Sequence, residues 1–268
     1  MTPDPLTSLP ARLYLLAYNL EKDQLYPNRR LGRALRAAAL VELETDGWLV
    51  DDEGRVQVAA APPGGRAAGS GPTPRGGSGR ADPLVAAVYR QVKDAPVARS
   101  WADWIGHEHR AAVVETRDDL EAAGWLRVAR GRALGVFPTS AVVLLPRAEV
   151  RAVNRAAGPV LRGEVAPADA DPDLVRLVAL AAAGDVITLV SAGQRRAFAG
   201  QLGVLTVLAG HAARALAGHD PTGPAVGPAV GPAVGPAVGP VAGPVARSGG
   251  PGAAAPPPRC ETARSEGT

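Results

Sequence analysis

The chain has 268 residues, 46% of them hydrophobic but only 4% aromatic, with a formal charge of +3 and an isoelectric point near 9.4. That length supports one substantial core, and the shortage of aromatics favours packed helices of Leu, Val and Ala over a β-sandwich. Charge this mild excludes nothing about acidic partners by itself. The single cysteine, Cys260, excludes a disulfide framework and a thiolate metal site.

Lys22 and Lys93 are the only lysines. Richness in Arg, Ala, Gly and Pro beside scarce lysine is what a GC-rich genome produces, and a bacterial source is expected. The opening MTPDPLTSLPARLYLL lacks the basic and apolar regions of a signal peptide, and no uncharged apolar run of about twenty residues precedes the tail. A cytoplasmic protein with only peripheral, reversible membrane contact is expected.

In chain order, Ser8 caps a helix carrying Leu9, Leu13, Leu16 and Leu20 on one stripe, with Pro10 in its first turn. A second helix, from Asn28 to near Gly47, carries Leu31, Leu35 and Ala38 on one face. WLVDDEGRVQV follows as a hairpin turning at Asp52 to Gly54. Residues 60–81, rich in Gly and Pro, read as a flexible insertion. Asp82 then opens the short amphipathic helix DPLVAAVYRQV.

After WADWIG comes a helix from about Glu108 to Ala123, then GWLRVARGRALGVF, a second hairpin turning near Gly131. Helices around Arg147 to Leu161, Asp173 to Ala183 and Gly193 to Leu216 complete a mainly α domain with small β-hairpins, spanning 1–217. From residue 218 the repeated GPAV motif forbids a helix and offers little to bury, so 218–268 reads as a disordered tail.

Catalytic signatures are missing: there is no GxSxG, Walker loop, HExxH, or GxGxxG after a strand. No enzyme and no cofactor are expected. His107, Glu108 and His109 form the only local cluster of ligand types, but on a helix the two histidines point about 200° apart, so no metal site is expected.

Arginines carry more information. In PNRRLGRALRAAALVEL, Arg29, Arg33 and Arg36 fall on one helical face opposite Leu31 and Leu35, with Arg30 nearby and no acid between. Cations in a first helical turn oppose the helix dipole, which an anion would offset; the helix amides and guanidinium forks suit a phosphate. A solvated face neutralised by Glu21, Asp23 or the acids of the hairpin that follows is the competing reading. On the later helix Arg110 and Arg117 share the side of Val113 and Leu120, and Arg117 is placed to pair with Glu121 at i+4. The second hairpin joins Arg130 and Arg132 to Leu134, Val136 and Phe137. That combination suits a wedge into a headgroup layer as well as a wing packed on helices.

The order of these pieces resembles the Golgi phosphoprotein 3 family over roughly Leu6 to Leu216. SLPARLYLLAYNLEKDQ is similar to the family's opening helix and acidic turn, and ALRAAALVELETDGWL to its second helix. DPLVAAVYRQV, DWIG and LVRLVALAAAGDV follow in the family's order. The resemblance implies an all-helical, phosphoinositide-binding peripheral membrane protein without catalysis. In relatives the phosphatidylinositol 4-phosphate headgroup is held by a tryptophan and an arginine about the second helix and by two arginines on a later one. Arg36 and Arg110 match two of these positions, while Pro27 stands at the tryptophan and Val113 at the second later arginine. Arg29, Arg33 and Arg117 are expected to help rebuild the basic pocket. The hairpin from Trp125 matches the family's membrane-inserting hairpin, which assigns membrane contact to Leu134, Val136 and Phe137. Relatives also sort glycosyltransferases through their cytoplasmic tails, so tails of membrane enzymes are a partner class the resemblance implies. A winged-helix nucleic-acid binder is the alternative: helix, Gly-Trp-Leu and basic ribbon also describe a wing. Its supposed recognition helix, however, turns apolar at Leu40, where a DNA reader offers polar side chains.

Overall fold

The computed structural model describes residues 8–26, 28–60, 72, 82–133, 137–145 and 147–218. These all belong to one compact unit, Met1–Val226. Most of the expected insertion, and the tail from His219 onward, lie outside the described residues.

Helix α1 (Leu9–Leu16) starts where expected: Ser8 is its N-cap, and the side chain accepts from the Ala11 amide. The expected stripe overreaches by one turn, because the helix ends at Leu16 and Leu20 lies beyond it, packed only partly against the core. Strands β1 (Tyr18–Asn19) and β2 (Gln24–Leu25) form a small antiparallel ribbon there. Helix α2 (Leu31–Thr45) is the axis of the molecule. All its residues except Arg33, Glu44 and Thr45 are buried. Runs of Ala and Leu make this possible, since small side chains let neighbours approach on every side.

Around α2 pack α1, α3 (Pro83–Lys93), α4 (Trp101–Gly106), α5 (His109–Ala122), α7 (Pro172–Ala183) and α10 (His211–Gly218). Asp82 caps α3, accepting from the Leu84 and Val85 amides, and its carboxylate also accepts from the Ser8 hydroxyl, so the starts of α1 and α3 are tied together. Strands β3 (Leu49–Asp52) and β4 (Arg55–Val58) form the first hairpin, turning through Glu53 and Gly54 at φ 50° and 81°, as a tight primed turn needs.

Two expected elements differ. The second hairpin, β5 (Leu126–Ala133) with β6 (Phe137–Leu144), pairs Gly131 with Thr139 and Ala133 with Phe137. Gly131 is therefore inside the strand, and the connection falls at residues 134–136. The alternation of apolar residues through Val142 and Leu144 extends the ladder past the glycine that suggested the turn. The helix expected from Gly193 to Leu216 is three: α8 (Ala192–Ala197), α9 (Ala199–Leu208) and α10. Ser191 caps α8 through a capping box with Gln194, and Gly210, at φ 97°, breaks the chain before α10. Helix α6 (Arg147–Arg162) completes the layer that packs on α7. No described helix is long and apolar enough to cross a membrane. The mainly α fold with small hairpins is the one the sequence implies.

Candidate functional site

Helices α2 and α5 begin side by side. Gly32, in the first turn of α2, lies so close to α5 that a Cβ built on it would stand 1.9 Å from the His109 carbonyl oxygen. Only glycine permits that approach. Neither helix start has a side-chain cap: Arg30 stands at the α2 N-cap and Glu108, at φ 47°, at that of α5, and no side-chain cap bond forms at either. Two partly positive helix ends thus meet at one place.

A cleft of about 490 Å³ opens at this junction, lined by Asn28, Arg29, Gly32, His109, Arg110 and Val113. Among its described lining residues there is no carboxylate. Arg29 and Arg110 are exposed, and among the described residues neither side chain makes a hydrogen bond or ion pair. Asn28 is held firmly, its amide donating to the carbonyls of Gly184 and Asp185 at 2.8 and 3.1 Å while its Oδ1 accepts from the Arg30 amide. Arg30 itself turns away, bonding Asp185 and the Leu216 carbonyl. His109 is fixed by a 2.8 Å bond between Nδ1 and the Gly106 carbonyl.

The arginines expected to form one basic face are distributed otherwise. Arg36 is 1% exposed. Its Nε donates to the Trp104 carbonyl at 2.8 Å and one terminal nitrogen has no partner. Burial lowers its pKa to about 10, against the opposing pull of Glu108 and Glu115 on α5. The physical reason is that α2 is wrapped by other helices and has no open face beyond its first turn. Arg33 is half-buried and lines none of the described clefts.

Arg117 pairs with Asp118, at 3.0 and 2.8 Å, and not with Glu121, whose carboxylate caps the start of β5 by accepting from the Val128 amide. It lines a neighbouring cleft with Tyr14, Asp23, Gln24 and Leu25. Val113 borders both clefts. Tyr14 there is buried, which pushes its hydroxyl up to about 12.

The structure therefore brings Arg29 and Arg110 together, keeps Arg36 one helical turn further in, and separates Arg33 and Arg117 from them. Leu134 and Val136 lie outside the described residues, and Phe137 opens β6. Sequence reasoning missed Asn28, Gly32 and His109 as parts of the site. Asn28 and Gly32 were legible only as helix-start residues, and His109 only as a poor metal ligand. The wing reading loses its recognition helix, because the face of α2 that would enter a groove is buried by its neighbours.

Chemically, the cleft is suited to an anion that accepts several hydrogen bonds, with amide dipoles behind it and guanidinium groups beside it. No curated protein matches the chain. The family model of Golgi phosphoprotein 3 (GPP34) matches residues 9–233, most of the sequence and all of the helical core. The chain belongs to the Golgi phosphoprotein 3 family.

Proposed function

We propose that this protein is a peripheral-membrane adaptor that holds an anionic lipid headgroup, of the phosphatidylinositol 4-phosphate type, in the cleft between the starts of α2 and α5. The observation that carries the reading is the meeting of two uncapped helix starts with Arg29 and Arg110, residues that have no ion-pair partner among the described residues. Both later-helix positions that the family resemblance marks, Arg110 and Val113, line this cleft. Arg29 stands two residues after Pro27, at the lost tryptophan position, and supplies a charge where relatives supply a ring.

Arg36 acts from below in this reading. It is a positioning residue that adds positive potential and holds α4 through the Trp104 carbonyl. Leu134, Val136 and Phe137 are assigned to the apolar layer beneath the headgroups, which anchors the protein reversibly. Tails of membrane enzymes are the partner class that an adaptor of this family would take.

Flotation with phosphatidylcholine vesicles, alone or carrying phosphatidylinositol 4-phosphate, phosphatidylinositol or phosphatidylglycerol, tests the reading. The full chain should float selectively with the phosphoinositide. An Arg29→Ala, Arg110→Ala double variant should lose that binding by roughly tenfold or more while melting normally, because each exposed charge-assisted contact contributes about 0.5–1.5 kcal/mol. Equal binding to every anionic vesicle, or retention by the double variant, would sink the proposal.

A further inference from the structure

The two ring nitrogens of His109 have different tasks. Nδ1 lies 2.8 Å from the Gly106 carbonyl oxygen. A carbonyl only accepts, so Nδ1 carries the hydrogen. His109 also lines the cleft beside Arg29 and Arg110, which leaves Nε2 as the ring nitrogen for a ligand. In the neutral ring Nε2 is a lone pair that repels an anionic oxygen. One added proton turns it into a charged donor while the Nδ1 bond stays in place.

The surrounding charges are mostly positive. Arg29 comes from the segment before α2 and Arg110 from the next position of α5; half-buried Arg33 and buried Arg36 of α2 do not line the cleft, and the charge of Arg36 is met by Glu108 and Glu115 of the α5 side. Glu108, just before His109, is engaged by the Gln91 amide of α3 at 2.6 Å. From the end of α4, His107 sets its ring edge-on to Trp104, 5.5 Å between centroids.

We infer that His109 is a proton-dependent third contact for the anion, making this a site for phosphate monoesters to which His109 contributes more as acidity rises. The inference rests on the headgroup reading above and specifies its ligand class. A monoester carries up to two negative charges and three free oxygens, enough for Arg29, Arg110 and Nε2–H together. A diester such as phosphatidylglycerol offers a single charge and gains less. Because the anion and the proton on Nε2 attract each other, each strengthens the binding of the other by the same factor.

The test is flotation of the full chain with phosphatidylcholine vesicles carrying phosphatidylinositol 4-phosphate, between about pH 5 and pH 8, the range in which histidine charges. Wild type is compared with His109→Gln at each pH, so that protonation of the lipid phosphate cancels in the ratio. The affinity ratio should lie near one at the alkaline end and reach roughly three- to tenfold at the acid end, the range between an exposed ion pair and a charged hydrogen bond. His107→Gln should follow wild type. In wild type, inorganic phosphate should also move the His109 ring titration, read by NMR, to higher pH, a measurement that needs no variant to fold. A ratio independent of pH together with an unmoved His109 titration would overturn the inference while leaving the lipid reading standing. Failure of every protein to float at any pH would overturn both.

Discussion

Asp82 is a carboxylate that the fold would hold more easily without its charge. It is tied to the Ser8 hydroxyl and the Leu84 and Val85 amides, yet burial outweighs these bonds and raises its pKa above the ordinary carboxylate value. A carboxyl raised on folding contributes stability that is fully present below its unfolded pKa and is lost as pH rises through the folded value. Asp82→Asn keeps the cap and removes the titration. Its denaturant midpoint should therefore gain on the wild type as pH is raised from the acid range to neutrality, and a constant difference across that range would count against this account. Arg36 is the same problem with the opposite sign, a cation whose burial favours the neutral form. Its helical spacing with Arg29 and Arg33 is visible in the sequence, but its burial is not, because spacing fixes direction around a helix axis and says nothing about which neighbours close over that direction. His109 was hidden for a related reason: the Gly106 carbonyl that orients its ring is a backbone atom, invisible in a list of side chains.

At the level of elements, the site depends on how closely two helices start beside one another. Gly32 is the gauge of that distance. A methyl group there meets the His109 carbonyl at 1.9 Å and Val113 Cγ2 at 3.2 Å, so α2 and α5 must separate to admit it. Gly32→Ala gains up to about 1 kcal/mol of helix propensity and loses about 1–3 kcal/mol to overpacking. The expected result is a lower unfolding midpoint and weaker flotation with phosphoinositide vesicles. An alanine variant with undiminished binding would show that the width of the junction does not matter. Caps and periodicity made α1, α2, α3 and the first hairpin legible in the sequence, with Ser8 and Asp82 at their starts and Glu53-Gly54 at the turn. Helix α4 went unnamed because WADWIG is too short to show a period; its capping box, Ser100 with Asp103, was the available signal. The three helices after Ser191 merged into one for the opposite reason, since a run without proline hides two breaks, one at Phe198 between α8 and α9 and one at Gly210, at φ 97°, before α10.

Over the whole molecule, the core closes at Leu216, whose carbonyl accepts from Arg30 at 3.2 Å and so ties α10 to the start of α2. A chain ending at Gly218 should unfold at the same denaturant concentration as the full chain, to within about 0.5 kcal/mol. A larger fall would mean that the repeat segment contributes to the fold. Fold class was readable because every described helix except α8 buries apolar residues in one core, whereas the candidate site joins residues far apart in the chain and exists only where α2 and α5 meet. The burial of Arg36 has one more consequence, for the medium around the protein. Dissolved ions gather against exposed guanidinium groups and blunt them, but cannot approach a charge sealed among helices. On the proposed headgroup reading, the pull of Arg29 and Arg110 on an anion should therefore fade first as salt rises, and any contribution of Arg36 last.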